Sequence, residues 1–172
     1  MTDKLEFVSA IITNKEGNVL LLKRKDTLKL DPGKYDLCSG HMKVTEQVPM
    51  LSMLRELKEE TGITQEQIKR MDNLGNIQTP HKMFLDTVCH MYHIEIDLSI
   101  EQINKMIQEV EEPEMESAKY LKDVNELRTI QKYTDLMRTI YTEEIDKVLL
   151  ELQETLNKRK EMKYDLCKNE ER

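Results

Sequence analysis

The chain has 172 residues, a mass of 20.4 kDa and a formal net charge of −7, enough for one domain with a buried core and an appendage. The acidic balance argues against a nucleic-acid backbone as the main partner, because phosphate binding draws on clusters of Lys and Arg. No apolar run in the first half approaches the roughly 18–20 residues that cross a bilayer, no signal peptide is read, and three widely spaced cysteines, Cys38, Cys89 and Cys167, favour reduced thiols in a cytoplasm over a disulfide framework.

In chain order, Lys4 to Thr13 and Val19 to Arg24 read as a β-hairpin joined by the polar turn Asn14-Lys15-Glu16-Gly17-Asn18. Val19 to Leu22 is apolar without alternation, which predicts a strand covered on both faces. Asp31-Pro32-Gly33 signals a turn, and Tyr35 to Ser39 a short strand that delivers the chain to Gly40. A helix is expected from Pro49 to Thr61, with Met50, Met53, Leu54 and Leu57 inward and Gly62 as its left-handed stop. Leu74 to Gln78 and Phe84 to Ile96 are strand candidates with Pro80 in the connection. Ser99 can cap a helix from Ile100 to about Gln108, Met115 to Leu121 reads as a strand, and Asp123 to Tyr133 as a helix. From Tyr141, the residues Ile145, Val148, Leu149, Leu152 and Leu156 continue an amphipathic stripe that dissolves into charge after Asn157, so Lys158 to Arg172 are expected to fray.

The chemistry concentrates at the end of the first helix. Glu56, Glu59 and Glu60 stand at i, i+3 and i+4, which puts three carboxylates on one face, where like charges repel unless a cation sits between them. Such a face is most often solvated surface. The flanking residues argue otherwise: in the string Arg55-Glu56-Leu57-Lys58-Glu59-Glu60-Thr61-Gly62-Ile63 the six identities Arg, Glu, Leu, Glu, Glu and Gly would coincide by chance in about one random window in ten million, and Gly40 followed after five residues by Glu46 lies upstream. Hard oxygen donors suit Mg2+, with Mn2+ as the second choice.

These residues resemble the box of the Nudix hydrolases, G-x5-E-x7-R-E-U-x-E-E-x-G-U with U apolar, enzymes that cut diphosphate linkages in nucleoside diphosphates joined to another group. The chain departs from it once, with eight residues between Glu46 and Arg55 instead of seven. Pro49 keeps the family's six-step distance to the arginine, so the surplus falls at Gln47-Val48: the helix register survives, and the placement of Glu46 becomes open. The resemblance implies an α+β fold, an αβα sandwich around a mixed β-sheet, with a Nudix domain over residues 1–139 and a C-terminal amphipathic helix over 140–172 that could pack on the domain or on a second copy of the chain. It implies metal ligation by Glu56, Glu59 and Glu60, with the Gly40 carbonyl as a further ligand, and an orienting role for Arg55. Glu116 is the candidate for an extra metal ligand or base from the acid-rich segment Glu111 to Glu116. Arg24, Lys34 and His41 are the substrate-binding candidates, for a small-molecule diphosphate.

Three other readings point elsewhere. Cys89-His90-Met91-Tyr92-His93 has zinc-like composition, but residues four apart on a strand stand about 13 Å from one another. Pro32-Gly33-Lys34-Tyr35-Asp36-Leu37-Cys38-Ser39-Gly40-His41 resembles the entry to isopentenyl diphosphate isomerase, a branch of the same family, with Ser39 where that enzyme has its cysteine; Cys38 is expected to serve packing. A Nudix-like binding module without catalysis is the third, and it would be expected to have lost box glutamates that this chain keeps.

Overall fold

The computed structural model describes residues 5–81, 84–121, 150–151, 153–155, 157–159 and 161–162. Its strands are β1 (Leu5–Thr13), β2 (Val19–Arg24), β3 (Tyr35–Asp36), β4 (Cys38–His41), β5 (Ile68–His81), β6 (Phe84–Ile96) and β7 (Met115–Leu121), and its helices α1 (Pro49–Thr61) and α2 (Ile100–Glu109), with a 3-10 turn at Gln65–Gln67. Among the described residues no helix is long and apolar enough to cross a membrane.

The sheet is mixed. β1 lies parallel to β6 and antiparallel to β4, and meets β2 at Thr13↔Val19; β6 pairs antiparallel with β5, and β2 with β3 and β7. The turn between β1 and β2 is held by Asn14, whose side-chain oxygen accepts from the backbone N–H of Glu16 and of Asn18. Phe7 to Thr13 and Val19 to Leu22 are buried without interruption, as the unalternating apolar run predicts for strands covered on both faces.

One face of the sheet, carrying Val8, Ala10, Ile12, Leu20, Leu22, Tyr92, Ile94 and Ile96, forms a core with Met53 and Leu57 of α1 and Ile103 and Ile107 of α2. Ser99 and Gln102 cap α2 reciprocally, and Asn104 bonds both the N–H and the C=O of Ala118, fastening α2 to β7. Glu95 points to the opposite face, since side chains alternate along β6; there Arg159 Nη1 meets Glu95 Oε2 at 3.1 Å. Described helical residues therefore flank both faces, the layering of an αβα sandwich.

The structure departs from the sequence reading at several points. Tyr35 to Ser39 divides between β3 and β4. Met50 is 45% exposed, because α1 closes over the sheet only from Ser52 onward and its first turn projects beyond it. β5 begins at Ile68, six residues before the expected start, and runs through Pro80. Its polar composition hides it, and its register is imposed by β6 through pairs such as Ile68↔Ile96 and Met71↔Ile94. As an edge strand with three register shifts it can hold a proline. Residues 157–159 and 161–162 are helical, in part of the stretch where the loss of apolar stripe predicts fraying, and the Arg159–Glu95 ion pair gives charge there a partner; the rest of Lys158 to Arg172 lies outside the described residues. The helix expected at Asp123 to Tyr133 and the start of the last helix at Tyr141 lie outside the described residues.

His93 illustrates the opposite face. It is buried, with Nε2 at 2.8 Å from Thr13 Oγ1 and Nδ1 at 3.7 Å from Asp72 Oδ2. Burial holds its pKa below the usual 6.5, against the charges of Asp72 and Glu95 and with those of Arg70 and Arg159. Above about pH 6.5 the imidazole is neutral folded and unfolded, whereas below it the unfolded chain takes up a proton first, so stability falls as the pH drops towards the folded-state value. His93→Gln, which can still bond Thr13, should flatten that slope. Chemical denaturation at about pH 7.5 and about pH 5.5 measures it; an unchanged slope in the variant would assign the acid sensitivity elsewhere.

Candidate active site

The site is built where α1 crosses β4. Pro49 opens α1, and Gly62 ends it with φ 75° and its N–H on Lys58 O. Met53 and Leu57 bind the helix to the core, which turns Glu56 and Glu60 onto β4. Gly40 faces Val8 in the β4–β1 register, and a Cβ added to it would overlap the whole Glu56 carboxylate group. The glycine is required here for close approach rather than for an unusual backbone angle.

Arg55 gathers the acids. Its Nη1 donates to Glu56 Oε1 at 2.6 Å and to Glu59 Oε2 at 2.8 Å, while Nε and Nη2 grip Glu46 Oε1 and Oε2 at 2.7 and 3.1 Å, and Nη2 also donates to the His41 carbonyl at 2.9 Å. Despite the extra residue in the loop, Glu46 therefore reaches the arginine. The Arg55 fork, with Ser52 and the Lys43 N–H, holds the Glu46 carboxyl down to about 2, and the carboxylates raise Arg55 further above its usual range.

Glu60 lies deeper, 8% exposed. Ser39 N–H donates to its Oε2 at 3.1 Å. Burial raises its pKa well above the usual value; the Cys38 S–H and the Ser39 N–H oppose that, and the nearby charges of Asp36 and Glu56 add to it. Glu56 is raised in the same sense by burial, with Arg55 opposing. Cys38, buried, has its thiol pushed up by burial and by Glu60.

Among the described residues no three His, Cys, Asp or Glu side chains converge as they stand to hold a metal ion. The donor set nevertheless fits a hard divalent cation: Glu56 and Glu59 already share one cationic group, the Arg55 Nη1, and Glu60 is a desolvated carboxylate whose ionised form such a cation would stabilise. Ligation by all three requires Nη1 to give way while Glu46 retains the other side of the guanidinium.

The structure thus brings together Glu56, Glu59, Glu60, Arg55 and Gly40, with His41 contributing its carbonyl. The His41 ring is tilted against Phe7 at 6.3 Å between centroids. The remaining candidates have other partners. Arg24 donates to Leu30 O at 3.3 Å and lies 3.8 Å from Glu114, Lys34 bonds Asp31, and Glu116 pairs with Lys23 at 2.5 Å. In the Cys89 to His93 run, His90 bonds Asn76 and Glu6, each at 2.9 Å, and His93 turns to the other face. Two residues of the site escape sequence reasoning: Ser52, whose only signal is its i, i+3 spacing to Arg55, and the buried Asp36, visible only as part of the Pro32 to His41 stretch.

A family model described as NUDIX domain matches residues 5–154. No curated protein matches the chain. Among solved structures the fold is similar to a MutT protein from Methanosarcina mazei Go1, with TM-score 0.61 and 17% identity over 90% of this chain and 98% of that one. It is also similar to the NUDIX domain of Shewanella oneidensis NrtR complexed with ADP ribose, with TM-score 0.59 and 16% identity over 87% and 90%. A third is a bifunctional NMN adenylyltransferase/ADP ribose pyrophosphatase from Francisella tularensis, with TM-score 0.57 and 18% identity over 88% and 42%. Identities this low speak for the fold alone.

Proposed function

The chain belongs to the Nudix family, and on that premise we propose that it is a Mg2+-dependent pyrophosphohydrolase cutting a diphosphate linkage in a nucleoside diphosphate derivative or a related small molecule. The observation that carries this reading is the acidic face of α1, in which Arg55 joins Glu46, Glu56 and Glu59 above Gly40 while Glu60 is buried beside them. Two solved neighbours support the substrate class: the NrtR domain is complexed with ADP ribose, and the Francisella enzyme with AMP and a Mn ion.

In this reading Glu56, Glu59 and Glu60 hold Mg2+ or Mn2+, with the Gly40 carbonyl as a further ligand. Bound there, such an ion would supply Lewis-acid neutralisation of the diphosphate and a water nucleophile usable near neutral pH. Arg55 fixes the directions of Glu56 and Glu59. Glu60, shielded from solvent, keeps its carboxylate oriented through the Ser39 N–H. Glu116 could join as ligand or base by exchanging Lys23, and Arg24, Lys34 and His41 are the polar groups proposed to meet the substrate. We place the protein in the cytoplasm, acting without nucleic acid or membrane and open to pairing with a second copy; Cys38 and Cys89 are free and buried.

Nucleoside diphosphate sugars, dinucleoside polyphosphates and prenyl diphosphates, incubated with Mg2+ or with a chelator, test the proposal. Mg2+-dependent release of phosphorylated products supports it. A double-bond shift in a prenyl diphosphate without phosphate release would replace it with isomerase chemistry, and binding without turnover would leave a recognition module.

A further inference from the structure

We propose that Ser52 is a positioning residue of the metal-binding face, acting through Glu46 and Arg55; the inference rests on the metal-dependent reading above. Ser52 is fully buried on α1, and its Oγ donates to Glu46 Oε2 at 2.7 Å. The same oxygen accepts the Lys43 N–H at 2.9 Å and Arg55 Nη2 at 3.1 Å, while Oε1 takes Arg55 Nε at 2.7 Å. Both oxygens of Glu46 are engaged, so the plane of the carboxylate is set, and a two-pronged arginine pair transmits that plane to the guanidinium. Nη1, on the far side of the fork, is then directed at Glu56 and Glu59.

The loop explains why this chain needs the hydroxyl. With one residue more between Glu46 and Arg55 than the family's box, Glu46 sits on a longer tether, and no side chain caps the start of α1 at Val48. Lys43 belongs to the loop that carries Glu46 and moves with it. Ser52 belongs to α1, one turn before Arg55 and on the same side, so it ties the glutamate to the helix that bears the acids. Without it Glu46 holds the Nε and Nη2 side of the guanidinium less firmly, leaving the His41 carbonyl on Nη2 as the other anchor, and the arginine closes further onto Glu56 and Glu59, which an incoming ion must take from Nη1.

Alanine at this position removes one oxygen from a helix and suits helical backbone, so the fold should persist. Calorimetric titration of Mg2+ into wild type, Ser52→Ala, Glu46→Gln and the double variant, with metal-free melting temperatures for each, tests the proposal. Ser52→Ala should weaken Mg2+ binding about tenfold, comparable to losing one hydrogen bond to a charged group. In the Glu46→Gln background the same change should have little further effect, because residues acting along one path are not additive. A Ser52→Ala protein with the wild-type Mg2+ Kd would overturn the proposal even if its melting temperature fell, and so would equal effects in both backgrounds. Absence of Mg2+ binding in wild type would instead overturn the metal-dependent reading itself.

Discussion

Glu60→Gln should lower turnover by at least about a hundredfold, which corresponds to roughly 2.7 kcal/mol of lost transition-state stabilisation. Glutamine keeps the size and nearly the helix propensity of glutamate, and its side-chain oxygen can still accept the Ser39 N–H. What disappears is a negative ligand. The metal-free protein should respond in the other direction. Burial and the charges of Asp36 and Glu56 raise the Glu60 pKa, so the folded state binds its proton more tightly than the unfolded chain. Its contribution to stability is full below the usual 4.5 and declines as pH rises towards the raised folded value. At neutral pH, glutamine removes that penalty. Initial rates, together with melting temperatures with and without Mg2+, should therefore show an inactive variant that melts higher without metal and gains less from Mg2+. A variant with full activity would mean that Glu60 is not a ligand.

Gly40→Ala should be nearly as damaging to activity for a steric reason. The added methyl would occupy the space of the Glu56 carboxylate, which cannot rotate aside without giving up Arg55 Nη1 at 2.6 Å. Overpacking of this kind typically costs about 1–3 kcal/mol of stability, so the protein should fold with a lowered melting temperature. Its Mg2+ affinity and turnover should fall by about a hundredfold or more, since tenfold in rate follows each ~1.4 kcal/mol. Comparing melting temperature, Mg2+ titration and rate separates a displaced ligand from general unfolding: wild-type Mg2+ affinity in Gly40→Ala would show that Glu56 had room to move.

The position of the carboxylates was legible in the sequence because a helix converts spacing directly into direction. Once Pro49 and Gly62 bracket the helix, Glu56, Glu59 and Glu60 must share a surface. The central strands were legible for a similar reason, since Val19 to Leu22 can be solvated on neither face. Long-range consequences were not. The eight-residue spacing leaves open whether Glu46 reaches Arg55, and that is settled by Ser52 and Lys43, whose donors carry no pattern of their own. β5 is shaped by its partner β6 rather than by its own alternation. Met50 fits the apolar stripe yet projects past the sheet, because periodicity gives a direction and not the extent of the surface it meets. Arg24, Lys34 and Glu116 are candidates by resemblance alone, and the structure joins them to Leu30, Asp31 and Lys23. Their part in substrate binding depends on exchanging those partners.

The acidic face of α1 is expected to bind a divalent cation through its carboxylates. Titrating Mn2+ into the protein and following the electron paramagnetic resonance signal of the free aquo ion measures this without reference to any substrate. Wild type should remove Mn2+ from solution at one or more sites, in competition with Mg2+, and the Glu56→Gln/Glu60→Gln double variant should leave the free signal almost undiminished while remaining folded. A folded double variant that takes up Mn2+ as wild type does would contradict carboxylate ligation of a cation by α1.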